Sequence, residues 1–221
     1  MIKKKILFLG KRNDTYTLKA LKYLRSLFND VNSFLGDWGE NFPEQASKWK
    51  GDIIISYLSR WIVPEHLLVN SKEVAINFHP ASPDYPGIGC INFALYEDAK
   101  KFGATCHHLS NEVDKGSIIK VSRFDVYPFD NVETLLTRTY EHQLHLFYEI
   151  INYIYNGISL PKSDEMWTRD PTSRKDLNEL CQITLDMDIK EIKKRIRATL
   201  FKNYRPKLSF SGFTFELKND Y

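Results

Sequence analysis

Three short apolar runs, each closed by glycine or a polar loop, set the architecture of this 221-residue chain. Ile6 to Leu9 ends at Gly10. Asp52-Ile53-Ile54-Ile55-Ser56-Tyr57-Leu58 ends at Ser59, and Val74 to Phe78 ends at His79 and Pro80. Unbroken apolar runs of this length suit strands covered on both faces, as in a parallel sheet. Between them lie segments with helical spacing. Leu18, Leu21, Leu24 or Arg25, and Phe28 share one face, and Asp14 or Thr15 can cap the first turn. Alternating strands and helices predict an α/β fold, a mostly parallel twisted sheet flanked by helices.

The remaining elements follow from local chemistry. Val31 to Leu35 reads as a short strand, Pro43 as the start of a short helix, and Pro64 to Val69 as another. Gly103 to Leu109 and Ile118 to Val126 read as paired strands around a turn. Asn131 caps a helix reaching about Tyr155, with Leu136, Tyr140, Leu144, Phe147, Ile151 and Ile154 on one stripe. His142 and His145 fall off that stripe and are expected to be exposed.

The polar stretch Pro161 to Pro171 marks a boundary between a domain of residues 1–160 and a small extension of residues 161–221. In the extension Ser173 caps residues 174–180. Asp188 and Glu191 form a capping box, with Ile189, Ile192, Ile196 and Leu200 as the apolar face. Residues 207–210 and 213–217 form a hairpin around Ser211-Gly212. About 60 residues is small for independent folding, and Phe201, Phe210, Phe213 and Phe215 are more aromatic surface than a hairpin can hide. A homodimer through this region or the long helix is expected.

Composition narrows the function. A hydrophobic content of 43% supports a sizeable core, and a formal charge of +3 suits a small anionic ligand. Lys3 to Lys5 and Lys193 to Arg195 are the basic runs, too short for a nucleic-acid stripe, so no nucleic-acid partner is expected. Three cysteines without a Cys-x-x-Cys pair suit reduced thiols in the cytoplasm. Cys106 beside His107 raises a metal or a thiol nucleophile, but neighbours on a strand point apart and no zinc spacing appears, so no metal is expected. The four apolar residues Ile6 to Leu9 are too few for a membrane span or a signal segment.

The chemistry gathers in Ala75 to Glu97. Strand alternation puts Asn77 and His79 on one side, so an amide and an imidazole emerge together at a strand's carboxyl end. Pro80, Pro83 and Pro86 stiffen the loop that follows, and Gly87 and Gly89 relax it. Ligands of open α/β sheets bind at such strand ends. Asp114-Lys115-Gly116 makes a tight turn from which an Asp can reach an imidazole across strand ends. Taken singly, Asn-x-His and Asp-x-Gly are common patterns.

Together, Asn77-Phe-His79-Pro80, the Pro/Gly loop and Asp114-x-Gly116-x-Ile118-Ile119 resemble the folate-dependent formyltransferases. The resemblance is strongest from about Ile53 to Val126. It implies a Rossmann-like core and transfer of formyl from N10-formyltetrahydrofolate to a primary amine. Asn77, His79 and Asp114 take the catalytic positions. Asn77 would donate to the developing oxyanion, His79 would stabilise it or remove the amine proton, and Asp114 would orient His79. Folate is expected along Leu58, Ser59, Arg60, Trp61 and Ile62 and at Asn111.

The Tyr85-Pro86-Gly87-Ile-Gly89 loop is similar to the branch acting on dTDP-4-amino-4,6-dideoxyglucose, for cell-surface polysaccharide synthesis. For such a nucleotide-linked amino sugar, Lys11, Arg12, Arg169 and Arg174 are candidate diphosphate contacts. Tyr85 and Trp167 are candidates to stack on the base or cover the sugar. Solvated surface for the cations and ordinary packing for the aromatics are the competing readings. Two other functions stay open: a formyltransferase for glycinamide ribonucleotide or Met-tRNA, and a non-catalytic folate or nucleotide module.

Overall fold

The protein is described from a computed structural model that covers residues 3–201 and 205–218. The elements run β1 (Lys5–Lys11), α1 (Thr15–Leu27), β2 (Asp30–Gly36), α2 (Glu44–Ser47), β3 (Gly51–Tyr57), α3 (Glu65–Val69) and β4 (Ser71–His79). They continue through α4 (Cys90–Tyr96), β5 (Lys101–His108), β6 (Ile118–Asp125), α5 (Val132–Tyr155), α6 (Arg174–Leu180), β7 (Gln182–Ile183), α7 (Ile189–Thr199), β8 (Lys207–Phe210) and β9 (Phe213–Glu216).

The main sheet has the order β2-β1-β3-β4-β5-β6. β1 to β4 pair in parallel, and β5 turns antiparallel against β4. The apolar runs are its buried strands: Ile6 to Leu9 and Ile53 to Ile55 have no exposed surface. The expected pairing of residues 103–109 with 118–126 is the β5–β6 ladder.

Two layers cover the sheet. On one face Phe8, Tyr57, Phe78 and Phe147 form an aromatic cluster with centroids 5.0–6.4 Å apart, which seats α5. Burial of rings this size dominates core energetics. On the other face Leu7, Leu9 and Ile54 pack with Ala46, Trp49, Val63 and Leu67. Asp14 caps α1 by accepting from the Tyr16 and Thr17 amides, and Asn131 with Thr134 forms a capping box on α5.

The chain beyond residue 160 packs onto the elements before it. Leu180 and Ala198 join a cluster with Ala81, Tyr85, Ile91, Ala94, Leu95 and Phe102. Three local expectations need correcting. α7 does not bury its isoleucine stripe: Ile189 is 65% exposed, while Ala198 and Thr199 are buried. Polar contacts set that rotation, because Asn92 donates to the Ala198 carbonyl and Tyr96 to Glu191. Asp188 does cap α7, but the Glu191 carboxylate goes to Tyr96 and Arg195 rather than back to the cap. His142 is half-buried, 3.0 Å from Ser122 Oγ and against the Phe124 ring.

Candidate active site

The carboxyl ends of β1, β3 and β4 open into a cavity of about 720 Å³. Its floor comes from the end of β4. Asn77 and His79 share a side of that strand, and both line the cavity. Gln143, fully buried on α5, donates to the Phe78 carbonyl over 2.7 Å and anchors the strand between them.

Asp114 reaches the same place from the loop between β5 and β6. Its backbone is left-handed (φ +47°), a conformation that Asp tolerates better than most residues. Gly116 makes the turn possible, since a Cβ there would lie 1.7 Å from the His108 carbonyl oxygen. The Asp114 carboxylate stands between two imidazoles. Oδ2 is 3.3 Å from His79 Nδ1 and Oδ1 is 3.4 Å from His107 Nε2. The Gly87 amide donates to Oδ2 over 2.9 Å. Burial pushes the Asp114 carboxyl up, but the His79 charge, the His107 hydrogen bond and charge, and the Gly87 N–H together outweigh it and hold the group down at about 2.

His79 and His107 are 4% and 2% exposed. His79 Nε2 meets the Tyr85 carbonyl at 3.0 Å. A carbonyl only accepts, so Nε2 carries hydrogen, and Nδ1 faces a carboxylate. For His79 to act as a base from Nε2, that nitrogen must first lose its hydrogen and leave the Tyr85 carbonyl. His107 donates from Nδ1 to the His108 carbonyl over 2.8 Å, and its Nε2 lies 3.0 Å from Asn77 Nδ2. An amide nitrogen has two hydrogens. At most one of them can meet His107, so an N–H remains for an oxygen in the cavity.

His107 is the site residue the sequence reading missed. The sequence raises it beside Cys106 only as a metal or thiol pair, a reading already set aside; Cys106 points into the core and its thiol is pushed well up by burial. The available signal was register: His107 pairs with Asn77 across β4 and β5. Cys90, at the cavity wall, is likewise pushed up to about 12 by burial, which makes its thiol a poor nucleophile. No cluster of three metal-ligating side chains occurs among the described residues.

Leu58, Ser59, Arg60, Trp61 and Ile62 all line the cavity, and Leu58 is left-handed (φ +53°), turning the chain sharply at the end of β3. Ile62 is 72% exposed, whereas Trp61 packs over Gly36 and donates to the Glu40 carbonyl. Asn111 lies apart, bonded to Glu65. Of the candidate cations, Lys11 and Arg174 line the cavity. Arg12 pairs with Glu40 and Arg169 with Glu97, both away from it. Tyr85 is buried against Phe102, with the Arg169 guanidinium over its ring. Trp167 is not a wall residue; it sits edge-on to the His79 and His107 rings. Trp38, unforeseen, lines the mouth with the Arg60 and Arg174 guanidinium carbons 4.6 and 5.2 Å from its ring centroid.

Comparison with known proteins gives this geometry a context. The formyl transferase family model matches residues 39–151, just over half of the chain and spanning Asn77, His79 and Asp114. Phosphoribosylglycinamide formyltransferase of Haemophilus influenzae is 28% identical over 83 residues, which are 37% of this chain and 39% of that protein. The first curated relatives are each matched over 39–42% of their own length. Among solved structures, a 4-N formyltransferase from Francisella tularensis superposes with a TM-score of 0.79 at 20% identity, covering 96% of both chains. An N-formyltransferase from Helicobacter canadensis, solved with folinic acid and dTDP-3-aminofucose, gives 0.74 at 24% identity, covering 96% of this chain and 85% of that one. With the family match extending over more than half its length, this chain belongs to the formyl transferase family.

Proposed function

We propose that this protein transfers the formyl group of N10-formyltetrahydrofolate to the amine of a nucleotide-linked amino sugar. The observation that carries the reading is the convergence of Asn77, His79 and Asp114 on one cavity large enough for two small molecules. The neutral amine attacks the formyl carbon, charge develops on the carbonyl oxygen, and the bond from that carbon to N10 then breaks, N10 gaining a proton as the attacking nitrogen gives one up. The spare N–H of Asn77 meets that oxygen, and such a donor typically supplies about 3–4 kcal/mol. His79, held by Asp114, supplies a second positive contact, or takes the amine proton at Nε2 once that nitrogen has given up its hydrogen and left the Tyr85 carbonyl. The amine is itself the nucleophile, so no covalent enzyme intermediate is needed.

The pterin is assigned to the loop from Leu58 to Ile62, whose wall is apolar apart from Ser59 and Arg60. Lys11, Arg60 and Arg174 line the cavity and suit a diphosphate. The Helicobacter protein's dTDP-linked ligand supports an acceptor of that class, and the Tyr85-to-Gly89 loop favours dTDP-4-amino-4,6-dideoxyglucose. The exposed hairpin phenylalanines support a homodimer, and the sparse free cysteines support a cytoplasmic site of action.

The test is direct. Purified protein is given N10-formyltetrahydrofolate with dTDP-4-amino-4,6-dideoxyglucose, other amino-sugar nucleotides, glycinamide ribonucleotide and Met-tRNA. Preferred turnover of an amino-sugar nucleotide is expected. Preference for either of the last two overturns the acceptor class but keeps the chemistry.

A further inference from the structure

Residues 163–173 cross the outside of the site as a strap. The Ser163 amide donates to the Ile118 carbonyl, the Thr168 amide to Pro83, and the Thr172 amide to Pro86. The Ile88 amide donates back to Thr172, whose hydroxyl reaches the Ile88 carbonyl over 2.7 Å. Lys115 pairs with Asp170 over 2.7 Å. The strap is thus stitched to both loops that form the site: the Pro/Gly loop, which gives Asp114 its Gly87 N–H, and the turn that carries Asp114.

Trp167 carries the strap to the imidazoles. Its ring centroid is 5.8 Å from that of His79 and 5.0 Å from that of His107, with interplanar angles of 72° and 88°. Its indole N–H donates to the Gly116 carbonyl over 2.8 Å, which fixes the ring. One rigid plane therefore backs both imidazoles that share the Asp114 carboxylate, while leaving the cavity itself clear.

We propose that Trp167 is a positioning residue for the Asp114, His79 and His107 group, acting from behind the cavity, and is not a contact for the acceptor. It fixes both rings against the carboxylate oxygens and keeps water off that carboxylate, so the Asp114 charge acts on the rings undiluted. For its kinetic consequences the inference rests on the formyl transfer proposed above.

The test compares Trp167→Ala, Trp167→Leu and Trp167→Phe. The positioning role predicts a kcat about 10–100-fold lower in Trp167→Ala, since small misplacements of reacting groups cost that much. KM for cofactor and acceptor stays within about 3-fold because the ring is not a wall of the cavity. Trp167→Phe recovers most of the loss, and Trp167→Leu stands in should the alanine variant fail to fold.

A second readout needs no turnover. Proton NMR of the wild type should show downfield imidazole N–H signals protected from solvent exchange. These broaden or vanish in Trp167→Ala or Trp167→Leu and persist in Trp167→Phe. A raised KM with unchanged kcat makes Trp167 a substrate contact and overturns the proposal, as do unchanged kcat and unchanged imidazole signals. If the wild type formylates none of the acceptors, the proposed activity fails, and the imidazole signals alone decide the positioning role.

Discussion

Gly87 donates its backbone N–H to Asp114 Oδ2 over 2.9 Å while its Cα lies against the backbone of Thr172. A Cβ there would sit 2.3 Å from the Thr172 carbonyl oxygen, and the residue has φ +89°. Both facts forbid a side chain. Gly87→Ala should therefore lose about 1–3 kcal/mol of stability through strain and displace the N–H from Asp114. Thermal melting together with the rate of formyl transfer checks it: turnover should fall further than the lost folded fraction accounts for.

The Asn77 and His79 side chains should separate in kinetics. Asn77→Ala removes the proposed oxyanion donor and should lower kcat about 10²–10³-fold with little change in KM. His79→Asn should do comparable damage, and a near wild-type rate in either variant removes that residue from the chemistry. Steady-state assays with saturating cofactor make the comparison.

The depressed carboxyl of Asp114 carries a stability signature. Its group is held at about 2 in the folded protein, against an ordinary value of 3.8. A carboxyl lowered on folding stabilises the native state above its unfolded value, and that stabilisation is lost as pH falls through 4 towards 2. The difference is on the order of 2 kcal/mol at neutral pH. Melting curves of the wild type and Asp114→Asn should therefore differ most above pH 5 and converge near pH 2. A constant gap across that range contradicts the assignment.

The hairpin of β8 and β9 leaves Phe210, Phe213 and Phe215 at 53%, 69% and 55% exposure. Three phenylalanines on so short an element form a patch suited to a partner. The proposed homodimer predicts twice the chain mass in sedimentation at assay concentrations. Phe213→Asp should shift the mass to monomer without unfolding the main sheet, which does not rest on that residue.

Much of this was legible in the chain. The runs Ile6 to Leu9 and Ile53 to Ile55 announce buried strands because nothing polar interrupts them, and capping residues such as Asn131 and Ser173 stand where helices start. Asn77 and His79 could be paired from strand parity alone. What escaped was tertiary. His107 enters through strand register with Asn77, which no local pattern encodes. The rotation of α7 escaped because Asn92 and Tyr96 of α4 set it, from 106 and 95 positions away and outside the helix's own sequence. The chain offers Trp167 equally as a substrate contact or as packing, and only tertiary structure shows it edge-on to the His79 and His107 rings.

The strap has a consequence for recombination. Asn77, His79 and Asp114 all precede position 160, which invites a junction there for exchanging extensions among relatives. Such a cut would import a foreign segment in place of Trp167 and Thr172 and leave the Pro/Gly loop without its outer stitching. A productive chimera has its seam beyond Thr172, so that the first dozen residues of the extension travel with the sheet they brace.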